Sequence, residues 1–190
     1  MTQVTQTEPN VILVDEQNTQ IGVKPKLQAH IDGDLHRCFS ILLYNSKGEM
    51  LIHKRALEKY HCGGLWTNAC CSHPAPGEHT IEGAKRRLYE ELGYKDITLT
   101  PQFEFIYLAE FENGLIEHEY DFVYTGIVDF DPPKPDPSEI AEFAWVTVSE
   151  LSADVQENPS KYTVWFQIIL SKLQKGEISP VHRSSSQKDL

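Results

Sequence analysis

Apolar and polar residues alternate along several short stretches of the chain, in the pattern of strands that bury one face. Six stretches share it: residues 11–15, 38–44, 50–55, 103–111, 117–128 and 143–148. Residues 45–48, Asn-Ser-Lys-Gly, predict a turn between the second and third strands. Asn113-Gly114 predicts a hairpin turn between the fourth and fifth. The chain is therefore expected to be rich in β-structure.

Apolar residues recur with helical spacing elsewhere. The clearest helix is predicted over residues 80–92, and Gly93 follows it as a C-cap. Its apolar positions lie on one face: Ile81, Ala84, Leu88 and Leu92. We expect Ser149 to cap a short helix, and a terminal helix over residues 161–174 that ends at Gly176.

Strands interspersed with a few helices predict an α/β (α+β) fold, a mixed β-sheet sandwich flanked by helices. The length of 190 residues suits one domain, which we place at residues 11–182. Residues 1–10 are expected to be a disordered N-terminus, and residues 183–190 a flexible, Ser-rich tail. Residues 132–137 are Pro-rich and predict a loop.

The formal net charge of −11 argues against a nucleic-acid or membrane-surface partner, because such partners require basic patches. We find no apolar run of the roughly 20 residues that a membrane span needs, and no signal-peptide pattern. The four cysteines are not spaced as a disulfide framework. We therefore expect a cytoplasmic protein with reduced thiols.

Several residues around the predicted helix keep the spacing of a known motif. Glu78, Arg86, the pair Glu90-Glu91 and Gly93 match the Nudix box, G-x5-E-x7-R-E-U-x-E-E-x-G-U. Two positions depart from it: Ser72 replaces the first glycine, and Arg87 replaces the glutamate that follows the arginine.

The chemistry of such a box is Mg²⁺ held by clustered carboxylates beside a diphosphate. Because Arg87 removes a carboxylate needed for hydrolysis, the resemblance implies a Nudix fold and a diphosphate substrate without diphosphate cleavage. The helix by itself is equally compatible with an ordinary solvated acidic face.

Candidate metal ligands lie outside the helix. Glu117 and Glu119 alternate on a predicted strand, so both carboxylates are expected on one face and His118 on the other. Three further candidates are imidazoles: His30, His36 and His73. Three imidazoles and two carboxylates can hold a divalent metal, and the nearby Cys71 could transfer a proton. Taken one at a time, such residues are more often structural: a lone cysteine usually packs in the core, and a lone carboxylate is usually solvated.

The combination resembles the type 1 isopentenyl-diphosphate isomerases, over about residues 11–170. The most specific segments are T-N-A-C-C-S-H-P at residues 67–74 and E-H-E-Y-D at residues 117–121. Supporting similarity lies in L-H-R-C-F-S at 35–40, K-R-A-L at 54–57, D-P-S-E-I at 136–140 and W-F-Q-I-I at 165–169.

The resemblance implies interconversion of isopentenyl and dimethylallyl diphosphate for isoprenoid biosynthesis, through a tertiary carbocation. By similarity, Cys71 and Glu119 are the two proton carriers, with Tyr107 assisting Glu119. Trp165 would stabilise the cation through its π-face.

The resemblance also assigns ligands. His30, His36, His73, Glu117 and Glu119 would bind Zn²⁺, or else Mg²⁺ or Mn²⁺. Glu91 would hold a second ion, Mg²⁺, that bridges to the diphosphate. The diphosphate itself would contact four basic residues: Lys26, Arg55, Lys59 and Arg87. The expected partner is thus a small prenyl diphosphate, bound by a monomer or a homodimer.

Two other classes of function remain open at this point. A Nudix pyrophosphohydrolase would need a carboxylate where Arg87 stands. A non-catalytic zinc-binding or prenyl-diphosphate-sensing module would have no need of Cys71, Glu119 and Trp165. Phosphate release would distinguish the first alternative, and metal binding without turnover the second.

Overall fold

A computed structural model of the protein describes residues 8–176. Within that range the strands are β1 Asn10–Val14, β2 Gln20–Pro25, β3 His36–Tyr44, β4 Glu49–Arg55, β5 Trp66–Asn68, β6 Cys70–Ser72, β7 Thr100–Glu110, β8 Ile116–Ile127 and β9 Ile140–Thr147. The helices are α1 Lys26–Asp32, α2 Thr80–Leu92, α3 Val148–Glu157 and α4 Val164–Gln174, and Pro159–Lys161 form a 3₁₀ turn. This mixed α+β architecture confirms the predicted fold class.

Strand β3 is the centre of the sheet. It pairs with β8 in parallel along its whole length, from His36 opposite Glu119 to Tyr44 opposite Ile127. Its other edge pairs in turn with β1, β6 and β4, all antiparallel. A strand buried on both faces reads as a nearly continuous apolar run, as residues 38–44 do.

The two faces of the sheet carry two hydrophobic cores. Side chains of β3 at Phe39, Ile41 and Leu43 pack toward α2, whose Leu88 and neighbours cover that face. The alternate β3 side chains pack with α4; this second core includes Leu42, Tyr44, Trp165, Phe166 and Ile169. The period-two alternation of a strand thus separates the layers, and the layer with α4 also holds Trp165 close to the cavity described below.

All six predicted strands are confirmed, and so is the helix over Thr80–Leu92 with Gly93 as its C-cap. Gly93 adopts φ 82°, and a Cβ there would lie 2.8 Å from the backbone nitrogen of Lys134. The predicted turns at residues 45–48 and at Asn113-Gly114 are also present. Residues 132–137 form a loop, as expected.

Two predicted helix starts were wrong. Thr147, and not Ser149, caps α3: the Glu150 amide donates to the Thr147 hydroxyl and the Glu150 carboxylate accepts from the Thr147 amide. The cap is Thr147 because this reciprocal capping box satisfies two backbone amides there, and Ser149 then falls inside the first turn. The last helix begins at Val164 instead of residue 161, because Thr163 is extended and its amide donates to the Trp66 carbonyl.

Four short elements went unpredicted. Strand β2 lies at the sheet edge with Gly22 and Pro25 in it, and α1 has 7 residues. Strands β5 and β6 have 3 residues each, too few to show a periodicity. Of the predicted N-terminal segment 1–10, Asn10 already begins β1, and residues 1–7 lie outside the described range, as does the predicted tail 183–190.

The packing of α2 generates a first prediction. Leu88 is 1% exposed in the core under α2, so Leu88→Ala should lower the free energy of unfolding by about 2–5 kcal/mol in urea denaturation. Lys85→Ala, on the exposed face of the same helix, should change it by no more than about 0.5 kcal/mol. Equal stability of the two variants would contradict this packing.

Candidate active site

Four side chains from four different elements converge on one buried point. His30 lies on α1, His36 begins β3, His73 follows β6 and Glu119 lies on β8. Their ligand atoms all lie within 4.8 Å of one another. The Nε2 atoms of His73 and His36 lie 2.9 and 3.4 Å from Oε1 of Glu119. The pairing of β3 with β8 sets this arrangement, because it places His36 directly opposite Glu119.

Backbone carbonyls orient two of these imidazoles. Nδ1 of His30 donates to the Lys26 carbonyl at 2.6 Å, and Nδ1 of His36 donates to the Asp34 carbonyl at 2.8 Å. A carbonyl can only accept, so the proton is on Nδ1 and the lone pair on Nε2 points into the cluster. Both Nε2 atoms are buried and have no hydrogen-bond partner among the described residues. Divalent cations bind to unpaired nitrogen lone pairs and carboxylate oxygens, so these residues fit a metal ion.

Burial also keeps the imidazoles neutral. Loss of solvation lowers the pKa of His30 to about 4 and that of His73 to about 3. A metal-binding imidazole must be neutral, so the site needs no deprotonation step at neutral pH.

Glu117 belongs to a second, adjoining set. Its ligand atoms group with those of His30 and His61, and its Oε1 lies 3.0 Å from Nε2 of His61. The Tyr107 hydroxyl lies 3.0 Å from Oε2 of Glu117 and also donates to Glu119 through a short hydrogen bond. His118 lies on the opposite face of β8, as predicted, and contacts the Gly33 carbonyl.

In the absence of a cation, the pKa values of the two carboxylates are shifted in opposite directions. Burial and the neighbouring charge of Glu119 raise the pKa of Glu117 well above its usual range. Burial would raise that of Glu119 too, but the His36 and His73 imidazoles beside its Oε1 outweigh burial and hold the pKa well below the usual range. Two carboxylates this close do not both ionise without compensation.

Cys71 lies on β6, opposite Ser40 of β3, and is partly buried. Burial raises the pKa of its thiol well above the ordinary value, and the negative charge of Glu119 adds to the effect. The thiol therefore stays protonated beside an ionised carboxylate. Cys70 faces the other way, into the core under α2.

A single cavity connects these groups to a set of cations. Its lining includes Lys26, Arg55, Lys59, Tyr60, His61, Cys71, Ser72, His73, Arg87, Glu91, Glu117, Glu119, Glu139 and Trp165. Every basic residue predicted to bind the diphosphate is present in it. They share the lining with four carboxylates, so four basic side chains are gathered at one place in a protein of net charge −11.

Carboxylates hold two of these cations in place. Arg87 donates to Glu91 at 2.7 Å, to Ser72 at 3.1 Å and to Glu139 at 3.3 Å. Lys59 pairs with Glu139 at 2.6 Å. An incoming diphosphate would compete for the same donors.

Aromatic rings hold the other two. The Lys26 ammonium lies 5.3 Å from the ring centroid of Tyr60, and the Arg55 guanidinium lies 5.5 Å from that of Trp165. Trp165 is 1% exposed, and its ring centroid lies 6.4 Å from that of Tyr107. The π-face of Trp165 can therefore stabilise a positive charge that lies over it.

The Nudix-like residues on α2 divide between two faces. Arg86 makes a bidentate pair with Glu78, both contacts at 2.9 Å, and contacts Glu90 at 3.2 Å. Arg87 points into the cavity with Glu91, whose carboxylate is 4% exposed. The substituted position of the motif is therefore an inward-facing cation.

The structure brings the thirteen predicted site residues together, and it adds three that the sequence interpretation missed. His61 had no assigned role, yet it is 7% exposed and contacts Glu117. The Tyr60 ring lies under the Lys26 ammonium, and Glu139 forms ion pairs with both Lys59 and Arg87. The segment D-P-S-E-I containing Glu139 was the only sequence signal for any of them.

Comparisons with known proteins identify the family to which this fold belongs. The NUDIX domain model matches residues 34–166. A Deinococcus radiodurans protein of known structure superimposes with a TM-score of 0.70 at 20% identity, covering 86% of this chain and 98% of its own. A MutT protein from Methanosarcina mazei superimposes with a TM-score of 0.59 at 21% identity, covering 75% and 94%. These two likenesses concern the fold alone.

Sequence relatives are more specific. An isopentenyl-diphosphate Delta-isomerase of Pectobacterium atrosepticum is 44% identical over 163 residues, 86% of this chain and 90% of its own length. Isopentenyl-diphosphate Delta-isomerase 1 of Aromatoleum aromaticum is 45% identical over 166 residues, 87% and 93%. The fold is that of a NUDIX domain. Within that class, the chain belongs to the isopentenyl-diphosphate Delta-isomerases. No helix in residues 8–176 is long and apolar enough to cross a membrane.

The cluster generates a second prediction. His73→Ala removes a candidate ligand, so Co²⁺ affinity, measured by calorimetry, should fall by more than the roughly 10–100-fold typical of losing a ligand's hydrogen-bond partner. His118→Ala changes a histidine on the opposite face of β8 and should leave the affinity unchanged. Unchanged Co²⁺ affinity in His73→Ala would contradict ligation by that residue.

Proposed function

We propose that this enzyme interconverts isopentenyl diphosphate and dimethylallyl diphosphate by adding a proton to one carbon and removing one from another. The observation that carries the proposal is the placement of the Cys71 thiol and the Glu119 carboxylate in one buried cavity that also collects four cations. Membership in the isomerase family supports the same reaction.

The protonation states suit that chemistry. The Cys71 thiol is protonated and Glu119 is ionised, so the pair holds one transferable proton and one vacant proton site. One turnover needs one protonation and one deprotonation at carbon, with a tertiary carbocation between them. Tyr107, hydrogen-bonded to Glu119, would pass a proton to or from that carboxylate. Trp165 would face the cation with its π-face.

We infer that His30, His36, His73 and Glu119, joined by Glu117, bind a divalent ion: Zn²⁺, or else Mg²⁺ or Mn²⁺. When bound, the ion supplies positive charge beside the carboxylates and so tunes their acidity. The protein's own part is to fix neutral imidazoles on one side and to bury the carboxylates on the other.

The diphosphate would bind at the basic wall of the cavity. Lys26, Arg55, Lys59 and Arg87 offer donors there, and Arg87 has the fork geometry suited to phosphate oxygens. Glu91 would hold a second ion, Mg²⁺, which would supply positive charge to the diphosphate. Hydrolysis is disfavoured because Arg87 replaces the carboxylate that the Nudix box uses at that position.

A small prenyl diphosphate is thus the proposed partner of the enzyme, in the cytoplasm and in isoprenoid biosynthesis. The four cysteines are unpaired thiols, as a reducing compartment requires. A monomer and a homodimer both fit the proposal, as does one isomerase domain over residues 11–182.

The third prediction tests the reaction itself. Metal-loaded enzyme incubated with isopentenyl diphosphate in D₂O should yield dimethylallyl diphosphate carrying deuterium at carbon, followed by NMR, and should release no phosphate. Folded, metal-loaded enzyme that gives neither product nor exchange would contradict an isomerase. Release of phosphate from diphosphate substrates would favour a hydrolase instead.

The fourth prediction concerns the thiol, and the chain offers a matched control beside it. Cys71→Ala should lower kcat by about 10²–10⁴-fold, the usual contribution of a positioned acid or base. Cys70→Ala removes a thiol from the adjacent position, which faces the core, and should change stability more than kcat. Comparable kcat values for the two variants would show that Cys71 carries no proton.

A further inference from the structure

One buried histidine lies in the cavity without a role in the proton chemistry or in the four-residue cluster. His61 comes from the loop of residues 56–65 between β4 and β5, and its side chain is 4% exposed. Its Nε2 lies 3.0 Å from Oε1 of Glu117, whose side chain is 5% exposed. A nitrogen and a carboxylate oxygen at this distance, both away from water, are close enough for a hydrogen bond.

The ring of His61 is fixed on three sides. It stacks on Phe111 with a centroid separation of 5.0 Å and an interplanar angle of 12°. Tyr60 meets it edge-on at 4.5 Å, and Trp165 does so at 6.3 Å. An imidazole packed in this way has little freedom to leave Glu117.

The same contacts join two segments of the chain that carry different parts of the site. Phe111 lies in the turn between β7 and β8, and Asn113 of that turn donates to the Tyr60 carbonyl at 2.8 Å. The loop is itself tightly folded, since a Cβ on Gly63 would lie 2.5 Å from the Leu57 carbonyl oxygen. His61 therefore ties a compact loop to the hairpin that presents Glu117 and Glu119.

We propose that His61 is a positioning residue of the metal centre, one that fixes the carboxylate of Glu117 by donating a hydrogen bond to its Oε1. Tyr107 contacts the other oxygen, Oε2, at 3.0 Å, so Glu117 is held from both sides. Each carboxylate oxygen has two lone pairs, and each therefore keeps one for a cation.

The proposal rests on the metal centre inferred above, and it deepens that inference by explaining how Glu117 is oriented. Oε1 of Glu117 faces the His61 imidazole at 3.0 Å, so His61 determines which way that oxygen points. Loss of a hydrogen-bond partner of a metal ligand typically costs about 10–100-fold in affinity.

The experiment measures Co²⁺ binding to the full-length metal-free protein by calorimetry, in wild type and in three variants. His61→Phe keeps a ring for stacking on Phe111 and removes the donor. His61→Gln keeps a donor near the position of Nε2 and removes the ring. His79→Phe, at the exposed N-cap of α2 with no side-chain capping bond, controls for a general effect of the substitution. Circular dichroism melts of the metal-free proteins control for folding.

We expect His61→Phe to weaken Co²⁺ binding by about 10–100-fold. We expect His61→Gln to recover most of that loss, and His79→Phe to match wild type. Rescue by glutamine separates positioning through a hydrogen bond from mere packing, because glutamine packs less well than phenylalanine against Phe111.

Three results would overturn the proposal. Wild-type affinity in His61→Phe would show that the hydrogen bond is unimportant. Equal weakness of the Phe and Gln variants would show that the imidazole itself is required, as ligand or as packing. Absence of Co²⁺ binding by wild type would overturn the metal centre as well, which distinguishes failure of the proposed function from failure of this inference.

Discussion

The burial of two carboxylates side by side on β8 is the constraint on which the rest of the site depends. Glu117 and Glu119 are 4% and 1% exposed, and an uncompensated buried charge costs several kcal/mol. Compensation comes from neighbours on other strands and helices. Imidazoles contact both carboxylates, and the Tyr107 hydroxyl lies between them. The site is thus assembled around the need to satisfy these two groups, and a cation would satisfy them further.

The same constraint explains the protonation of the proposed proton carriers. Burial raises the pKa of both Cys71 and Tyr107, and the charge of Glu119 raises that of the thiol further, as Glu117 and Glu119 do for the phenol. The thiol and the phenol therefore keep their protons while Glu119 gives up its own. In the proposed mechanism, the acid and the base would thus both depend on burial together with the charges of neighbouring carboxylates.

Strand periodicity explains why much of this could be predicted from the sequence. The alternation at Glu117-His118-Glu119 correctly separated the carboxylates from His118, because side-chain direction along a strand is local. The helix over Thr80–Leu92 was predicted to the residue for a similar reason, since its apolar spacing and Gly93 are local signals.

The missed features depend on contacts between distant segments. His61 is unremarkable in its loop and becomes significant only because the β7–β8 turn brings Phe111 and Glu117 against it. Glu139 likewise acquires a role because the chain before β9 returns to Lys59 and Arg87. Strands β5 and β6 are too short to show a pattern, yet β6 places Cys71 opposite Ser40 on the central strand. Short elements of this kind are specified by pairing, which a single sequence does not display.

Arg87 shows how one residue can change the charge inside a cavity without changing the fold. Helix α2 keeps its apolar face and its C-cap, and the outward pair of Arg86 with Glu78 keeps the form that the motif implies. The next residue faces the cavity, where a glutamate would add negative charge beside Glu91 and Glu139. An arginine there instead neutralises both carboxylates and offers donors to phosphate oxygens. The backbone is unaffected by the exchange because both residues are good helix formers. In the proposed function, the arginine would place positive charge where the diphosphate binds, and the reaction would take place at carbon, beside Cys71 and Glu119.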